Sequence, residues 1–281
     1  MNVSRRVALG LAAGGLAAAS GVAGAAPPTE AFPDPALLYR KLKYRTDDGP
    51  VFWWMRGPKY GVVDAEMTAL WTIEVGIIST VAHRPDGGFD TTSLEIIFMT
   101  DPTTGARLEQ WRNPYTREVL PGRVALVGPT TTRYDRQNGR TLPTTLGGAP
   151  LSVVTRRAEP IIVGDDIFVQ DEVVARVMSP GRTRPYIVND ISLLQGSVAN
   201  LASSAVTFGN ARVTFAEVTG WQRWLNMGER PGSMTSRTVG AKVERYEQLP
   251  ARWRAMLAGY APEIAQDPLG ALAKPPFRFE R

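Results

Sequence analysis

The sequence predicts a mainly β domain, either an antiparallel barrel-like sheet or a sandwich of about ten strands, with a short N-terminal helix and a C-terminal helical cap. Three observations predict this class. From Val51 onward, segments rich in Val, Ile, Thr and aromatic residues alternate with turn signals. Near the C-terminus the apolar spacing changes from that of a strand to that of a helix. No change in composition marks a second domain, so residues 35–281 are predicted to form a single one.

A short helix is predicted near residues 35–44, after a proline-rich linker over residues 27–34. Asp34 has the side chain of a helix N-cap, and Pro35 suits the first helical position because that position needs no amide hydrogen. The predicted buried side of this helix consists of Leu37, Leu38 and Leu42.

The first long strands are predicted from alternation and from the turns between them. Within residues 70–81 the apolar side chains alternate, as in a strand with one buried face, and they are Trp71, Ile73, Val75 and Ile77. Glu74 is out of phase with this set and is predicted to face solvent. A turn over residues 84–88 leads to a second strand over residues 92–100. Later hairpin signals are Gly164-Asp165 and Gly209-Asn210.

The helical cap is predicted from a stripe that begins just after Pro250. Apolar residues recur there at i, i+3, i+4, i+7 and i+11, and they are Trp253, Met256, Leu257, Tyr260 and Ile264. Pro262 lies inside the stripe and is predicted to kink or end the helix.

The N-terminal 26 residues have the three-part plan of a cleavable export signal. A Ser-Arg-Arg stretch at residues 4–6 precedes a mildly apolar run over residues 7–19, and cleavage is expected after residue 25 or 26. Paired arginines indicate the twin-arginine route, so the export machinery of that route is a predicted partner and the location is periplasmic or secreted. A retained anchor is the alternative. The run is shorter than a membrane span and contains glycines, so no stable span is predicted after cleavage.

Composition excludes several kinds of chemistry. The chain has no cysteine and one histidine, His83, which removes thiolate nucleophiles, iron–sulfur ligation, cysteine-based zinc sites and any site with two or more histidines. Phosphate-binding and dinucleotide-binding glycine motifs are absent, so no cofactor is predicted. Scattered basic residues, with a net charge of +5, do not favour nucleic-acid binding.

Carboxylates on or beside predicted strands are the candidates for proton transfer, and they are Glu74, Glu95, Asp101, Asp190 and Glu217. Two such groups inside a barrel can act as acid and base or hold a hard cation. A carboxylate such as Glu95 or Asp190 is the candidate catalytic group that moves a proton. Arg56, Tyr115 or Asn113 is the candidate for stabilising developing negative charge. The alternative for each acid is a solvent-facing charge.

Aromatic and amide side chains are the candidates for ligand binding. They are spread along the chain, as expected if several strands contribute to one pocket, and they are Trp54, Trp111, Asn113, Tyr115 and Trp221. The alternative is that they fill the core. Trp53 and Trp54 must point to opposite faces of any strand, so only one of them can enter the interior.

Several motifs together carry a family resemblance. They are Met-Arg-Gly-Pro-Lys-Tyr-Gly at residues 55–61, Asp-Pro-Thr-Thr-Gly at 101–105, Trp-Arg-Asn-Pro-Tyr-Thr at 111–116, Trp-Leu-Asn-Met-Gly-Glu-Arg-Pro-Gly at 224–232 and Leu-Pro at 249–250. Over residues 35–265 the chain resembles the DUF1838 family of bacterial and fungal proteins. The resemblance implies one continuous domain and supplies no catalytic residues.

Three functions follow from these observations. The first is a barrel-like protein that holds a small, largely apolar molecule, as a binder or as a cofactor-free lyase or isomerase. The second is a non-enzymatic structural or interaction module of the cell envelope. The third is a metal-dependent hydrolase that uses carboxylates alone.

Overall fold

The computed structural model describes residues 34–141, 145–146, 149–178 and 185–275. The predicted signal over residues 1–26 and nearly all of the predicted linker lie outside the described residues. The described chain is mainly β, and its antiparallel sheet curls into a half-barrel. The predicted fold class is therefore confirmed, including the early helix and the helical C-terminus.

The bounds of the elements follow. The helices are α1 (Pro35–Lys43), α2 (Val198–Ala202), α3 (Ala251–Tyr260) and α4 (Pro262–Gln266), with 3-10 turns at Arg223–Leu225, Tyr246–Gln248 and Gly270–Ala273. The first seven strands are β1 (Gly49–Val63), β2 (Glu66–His83), β3 (Phe89–Thr100), β4 (Gln110–Arg112), β5 (Val119–Pro121), β6 (Val124–Tyr134) and β7 (Arg140–Thr141). The others are β8 (Thr145–Leu146), β9 (Ala149–Arg157), β10 (Ile161–Val163), β11 (Asp166–Val177), β12 (Tyr186–Ser197), β13 (Arg212–Thr219) and β14 (Ser233–Val243).

Twelve of these strands form one sheet, in the order β7-β6-β3-β2-β1-β14-β13-β12-β11-β9-β8, with β10 paired to β11. Strands β4 and β5 form a separate two-stranded ribbon. Neighbouring strands are antiparallel throughout, as expected of sequential hairpins. Three neighbouring pairs are not consecutive in the chain: β3 with β6, β9 with β11, and the central pair of β1 with β14, whose members are the farthest apart in sequence.

Helix α1 begins as predicted. The Asp34 side chain accepts a hydrogen bond from the Ala36 amide at 2.9 Å, and Pro35 occupies the first turn. Leu38 and Leu42 are fully buried, whereas Leu37 is 37% exposed. The prediction that Leu37 is buried was therefore wrong. Leu38 and Leu42 are one helical turn apart, while Leu37 is rotated by about 100° from Leu38 and faces away from the sheet.

The two faces of the sheet carry different layers. One face carries Trp53, Ile77 and Glu95, which are cross-strand neighbours on β1, β2 and β3. This face is the concave one, because side chains from distant parts of the sheet meet over it: Arg140 of β7 donates to Asp171 of β11 at 2.6 Å. We call the opposite face the outer face.

The C-terminal helices cover the outer face of β1, β2 and β3. Trp253, Leu257 and Ile264 are fully buried there in a cluster that includes Ile78 and Phe98. The predicted helical stripe is thus confirmed. It is divided into two helices, since α3 ends before Pro262 and α4 begins at that residue.

The same helices bury Glu74, for which a solvent-facing position was predicted. Glu74 is fully buried; it accepts from Arg252 of α3 at 2.5 Å and from the Trp54 indole at 3.2 Å. The prediction was wrong because this face of β2 is covered by α3, which is more than a hundred residues away in sequence.

A buried network, here called the charged cluster, consists of Tyr39, Lys43, Arg140 and Asp171. Asp171 is 3% exposed and accepts from the Tyr39 hydroxyl at 2.9 Å, from Arg140 and from Lys43. Burial raises the pKa of Asp171, but Lys43 and Arg140 outweigh it and hold that pKa below its usual range. The charged cluster therefore ties α1 to both β7 and β11, which lie near opposite ends of the sheet order.

Candidate functional site

The middle of the concave face is less tightly packed than its two ends. At the α1 end Leu42 and Phe89 are fully buried, and at the other end Leu225 and Met234 are fully buried. Between them, side chains of the concave face are only half-buried, and they are Ile77, Glu95, Ile97, Asp190, Phe215 and Glu217. We call the half-buried part of the concave face that these six residues form the hollow. A pocket that combines an apolar lining with a few polar groups is typical of small-molecule sites.

Three carboxylates face the hollow from three strands. Glu95 lies on β3, while Asp190 on β12 and Glu217 on β13 are direct cross-strand partners. The same row continues through Ser236 to Lys59 on β1. Lys59 is 5% exposed and forms an ion pair with Glu217. One of the three carboxylates is therefore neutralised by a buried cation.

Glu95 and Asp190 have no such partner. Among the described residues, neither carboxylate accepts a hydrogen bond from a side chain. Burial, followed by the charges of Asp190 and Glu217, raises the pKa of Glu95 to about 7. Burial, followed by the charge of Glu217, raises the pKa of Asp190 to about 7, against the opposing effect of Lys59. The negative charges of neighbouring carboxylates favour the protonated form of each group, which adds to the effect of burial.

An irregularity in strand pairing lies beside Glu95. Ser93 pairs with Thr130 and Glu95 with Val127, so β6 has one residue more than β3 between these pairs. Gly128 supplies the left-handed conformation that this bulge requires, with φ +106°. Bulges re-aim neighbouring side chains and are frequent beside active sites. Val127 is 40% exposed, so the hollow is open to solvent on this side of Glu95.

The end of the hollow opposite α1 is aromatic. We call this group the aromatic end, and it consists of Trp71, Trp111, Tyr115, Trp221 and Trp224. The rings of Trp71, Trp111 and Trp224 have centroids 4.9–6.3 Å apart, mostly edge to face. Tyr115 and Trp221 form a second pair, with centroids 5.4 Å apart. Trp71 and Trp111 are 5% and 9% exposed and therefore belong to the core, whereas Tyr115, Trp221 and Trp224 are half-buried and keep part of their apolar surface free.

Asn113 positions the Tyr115–Trp221 pair. It is fully buried; its amide donates to the Leu225 carbonyl at 2.8 Å, and its side-chain oxygen accepts from the Tyr115 amide at 2.9 Å. Tyr115 and Trp221 then stand over Gly61 of β1. A methyl group at Gly61 would lie 2.5 Å from the Tyr115 hydroxyl and 2.9 Å from the Trp221 ring. Gly61 is therefore required for this close approach of the rings to β1.

Comparison with known families places the chain. The DUF1838 family model, described as a protein of unknown function, matches residues 48–135 and 184–275. The chain belongs to the DUF1838 family. No curated protein and no solved structure matches it. The regions matched by the DUF1838 model contain the three carboxylates of the hollow and Lys59, whereas α1 and strands β7 to β11 lie outside them.

The DUF1838 fold brings together most of the residues that the sequence singled out. Glu95 and Asp190 both face the hollow. The other predicted ligand-binding residues of the concave side lie at its aromatic end, and they are Trp111, Asn113, Tyr115 and Trp221. In the DUF1838 chain an aromatic end and an acidic middle thus occupy one continuous face.

Two predicted site residues lie elsewhere. Trp54 and Arg56 are on the outer face of β1, where Arg56 is 3.8 Å from the buried carboxylate of Glu74. Both have the opposite strand phase to Trp53, which lies on the concave face. His83 ends β2 with its Nδ1 3.0 Å from an oxygen of Asp48, away from the hollow.

Sequence reasoning missed Lys59 as a site residue and did not separate Glu217 from the other acids. A signal was available for Lys59, because it is in phase with Trp53 and Met55 on one face of β1. Among the described residues, no three His, Asp or Glu side chains are arranged to hold a metal ion. Within the same residues, no helix has both the length and the apolar character needed to cross a membrane.

Proposed function

We propose that this DUF1838 protein binds a small, largely apolar molecule in the hollow and transfers a proton on it without a cofactor, as a lyase or an isomerase. The observation that carries the proposal is that Glu95 and Asp190 both lie on the concave face among half-buried side chains, and that neither accepts a hydrogen bond from another side chain of the described residues. Burial and the neighbouring carboxylates raise the pKa of each to about 7. Groups with such values supply both the acid and the base at neutral pH.

The proposed reaction uses one carboxylate in each state. The ionised member of the pair removes a proton from a carbon atom of the ligand, and a carbon–carbon double bond begins to form. The protonated member gives its proton to another atom of the same ligand, either a leaving oxygen, which departs as water, or a second carbon, which completes an isomerisation. In both cases one carboxylate gains a proton and the other loses one, so the pair as a whole keeps its proton count. Proton exchange with solvent then returns each carboxylate to its starting state.

The first test uses 2-tetralone, an apolar bicyclic ketone with acidic C–H bonds, dissolved in deuterated water. We expect the wild-type protein to incorporate deuterium at the α-carbons, with a bell-shaped pH dependence centred near pH 7. Glu95→Gln and Asp190→Asn should each slow incorporation by about 10²-fold or more, since each removes a general acid or base. Proton NMR measures the rate.

Glu229→Gln is the matched control, because Glu229 is exposed. It should leave the exchange rate unchanged. Binding of 2-tetralone without exchange in the wild type would reduce the protein to a binder, and absence of both would refute the proposal.

Stability gives a second test of the acid pair. The pKa of Glu95 is raised on folding from its usual 4.5 to about 7, so folding favours the protonated form. The wild type therefore loses stability as pH rises from about 4 to 8, and Glu95→Gln does not share this loss. Because Glu95 is half-buried, we expect the variant to be more stable by roughly 1–2 kcal/mol at pH 8 and equal at pH 4. Urea denaturation at both pH values measures this; an equal difference at pH 4 and pH 8 would contradict it.

A second candidate function is an interaction or structural module of the cell envelope. Its support is the outer face of β9 and β11 to β14, which no helix covers among the described residues. This face exposes apolar side chains at 37–63% of their surface, and they are Val154, Ile187, Ile191, Leu193 and Val239. Ile191→Glu separates the two functions: it should leave 2-tetralone exchange intact and abolish an envelope interaction. Export by the twin-arginine route belongs to both proposals and is tested by replacing Arg5 and Arg6 with lysine and following the protein by cell fractionation.

A further inference from the structure

The outer face of β9, β11 and β12 carries a depression of about 400 Å³ that is partly open to solvent. This volume lies within the range of about 300–1,000 Å³ that is usual for small-molecule sites. The lining combines charged groups with an uncharged part, which consists of Val174, Ile187, Asn189 and Ile191. The C-terminal helices pack on β1, β2 and β3, and no helix of the described chain covers this part of the outer face.

The depression is separate from the hollow, because strand residues alternate between the two faces of the sheet. Asn189 and Ile191 line the depression, whereas Asp190 between them faces the hollow. The DUF1838 model matches β12 but does not match β9 or β11. A ligand of the depression therefore does not compete with the proposed reaction, and its site is built largely from strands that the family model leaves unmatched.

The charged side chains of the depression leave one positive charge without a partner. Glu172 lies 4.0 Å from Arg156 and accepts a hydrogen bond from the Gln170 amide at 2.8 Å. Arg176 is exposed, and no carboxylate in the described part of the chain lies within ion-pair distance of its guanidinium. Glu172 is four residues from Arg176 on β11, which is about 13 Å along a strand. The uncommitted guanidinium of Arg176 therefore suits a ligand with a single negative charge.

Asn189 is placed to assist Arg176. It pairs with Val174 across β11 and β12, so it is the diagonal neighbour of Arg176. Diagonal neighbours in an antiparallel pair are about 7–8 Å apart, within reach of long side chains. Asn189 is half-buried, its cross-strand row is otherwise aliphatic (Val154, Val174 and Val218), and its amide makes no hydrogen bond to the described residues. The amide and the guanidinium can therefore donate to the same anionic group.

The aliphatic side chains supply a surface for the apolar part of a ligand. Ile187 and Ile191 flank Asn189 on β12 and are 38% and 37% exposed. They are four residues apart, so with Val174 they extend over about 13 Å of the strand. A short aliphatic chain that lies along β12 would cover this exposed apolar surface.

We propose that the depression binds a small monoanion with a short aliphatic chain. Its carboxylate accepts hydrogen bonds from Arg176 and Asn189, and its chain lies over Ile187, Val174 and Ile191. This inference goes beyond the proposed function and does not depend on it, because the depression and the hollow lie on opposite faces of the sheet.

Three probes with the same linear alkyl chain test which charge the depression prefers, and they are octanoate, 1-octanol and octylammonium. Isothermal titration calorimetry at pH 7 gives the dissociation constant of each. We expect octanoate to bind about 10-fold more tightly than 1-octanol, because its carboxylate forms a charge-assisted hydrogen bond, and octylammonium to bind most weakly.

Variants of the wild-type chain assign the contacts. Arg176→Gln should weaken octanoate binding by about 10-fold and leave 1-octanol binding unchanged. Ile187→Ala should weaken the binding of both by a similar factor, since it removes apolar contact alone. Arg212→Gln is the matched control and should change neither, because Arg212 is exposed on the outer face but lies six residues along β13 from the partner of Asn189, which is about 20 Å. A urea titration of each variant establishes that the fold is retained.

Methyl NMR of the isoleucine side chains locates the bound octanoate. The signals of Ile187 and Ile191 should shift on addition of octanoate, whereas the signal of Ile77 in the hollow should not. Shifts at Ile77 without shifts at Ile187 and Ile191 would place the ligand in the hollow and overturn the inference.

The remaining outcomes are equally decisive. Equal affinities for octanoate and 1-octanol would indicate an apolar patch alone, and equal losses in Arg176→Gln and Arg212→Gln would indicate a non-specific attraction of anions. Binding to phosphatidylglycerol vesicles without binding of octanoate would assign the face to a membrane surface. Each of these results overturns the inference. Deuterium exchange into 2-tetralone should be the same in the wild type and in Arg176→Gln, so failure of either proposal is distinguishable from failure of the other.

Discussion

Replacing Asp171 with alanine is expected to lower the free energy of unfolding by about 3–5 kcal/mol at pH 7, because the change leaves two buried cations without their shared carboxylate. Lys43 and Arg140 both bind Asp171, and their side chains are 21% and 10% exposed. Once that carboxylate is gone, both cations lose their shared partner while remaining largely buried. Urea denaturation of the two proteins measures the difference.

Two controls bracket this result. Asp86→Ala removes an exposed carboxylate that pairs with Arg84 and should cost far less than Asp171→Ala. The triple variant Lys43→Met, Arg140→Met and Asp171→Leu should recover much of the loss, since a buried ion cluster can be replaced by apolar groups. A loss in Asp171→Ala no larger than in Asp86→Ala would show that the charged cluster does not hold α1 to the sheet.

The contribution of Asp171 to the free energy of unfolding depends on pH in a definite direction. The pKa of Asp171 lies below its usual 3.8 in the folded protein. The stability that Asp171 contributes is therefore present above about pH 4 and is lost as pH falls below it. Asp171→Asn should lack this acid-dependent part, so the stabilities of wild type and variant should converge on acidification.

Trp253→Ala is expected to cost about 3–5 kcal/mol, because it opens a cavity between α3 and the outer face. Trp253 is fully buried, packs edge to face on Phe98 at 6.2 Å between centroids, and lies against Gly76 of β2. Trp253→Phe keeps most of the ring contact and removes an indole N–H that has no partner, so it should cost less than about 1.5 kcal/mol. Thermal and urea denaturation measure both.

Two glycine-to-alanine substitutions, one at the Trp253 contact and one away from it, test the same packing. A methyl group at Gly76 would lie 2.1 Å from the Trp253 ring, so Gly76→Ala should destabilise by about 1–3 kcal/mol through overpacking. Gly259, in α3, has nothing within 4 Å of such a methyl group. Gly259→Ala should therefore stabilise by about 0.5–1 kcal/mol through helix propensity. Equal effects at the two positions would contradict the packing described for Trp253.

The fold class was predictable because its signals are local. Asp34 and Pro35 start α1, the Gly164-Asp165 turn separates β10 from β11, and the stripe from Trp253 marks the cap. The hairpin predicted at Gly209-Asn210 was wrong, because the segment before it follows α2 and is not a strand. Alternation correctly placed Trp53 and Trp54 on opposite faces. It did not indicate which face is concave, because both faces of β1 to β3 are apolar: one packs on α1 and the aromatic end, the other on α3 and α4.

The composition of the site was harder to predict. Glu95 and Asp190 were singled out as acids on strands, but their approach depends on the curl of the sheet, which no local spacing records. Arg56 and Glu74 lie near each other on the covered outer face. Arg252, 178 residues after Glu74, also donates to the Glu74 carboxylate there. The Lys59–Glu217 pair likewise joins residues 158 positions apart. Contacts between residues so far apart in sequence cannot be recognised from a local sequence pattern.

The pairing of β1 with β14 has a consequence for how the chain folds. Phe52 and Val243 are neighbours in the centre of the sheet, although nearly the whole domain separates them in sequence. While the chain is being synthesised, β1, β2, β3 and β6 can assemble as one meander and β11, β12 and β13 as another. The two meanders become a continuous sheet only when β14 leaves the ribosome and pairs with both β1 and β13. Assembly of the sheet centre is therefore the last pairing that synthesis allows, and it joins residues about 180 positions apart in sequence.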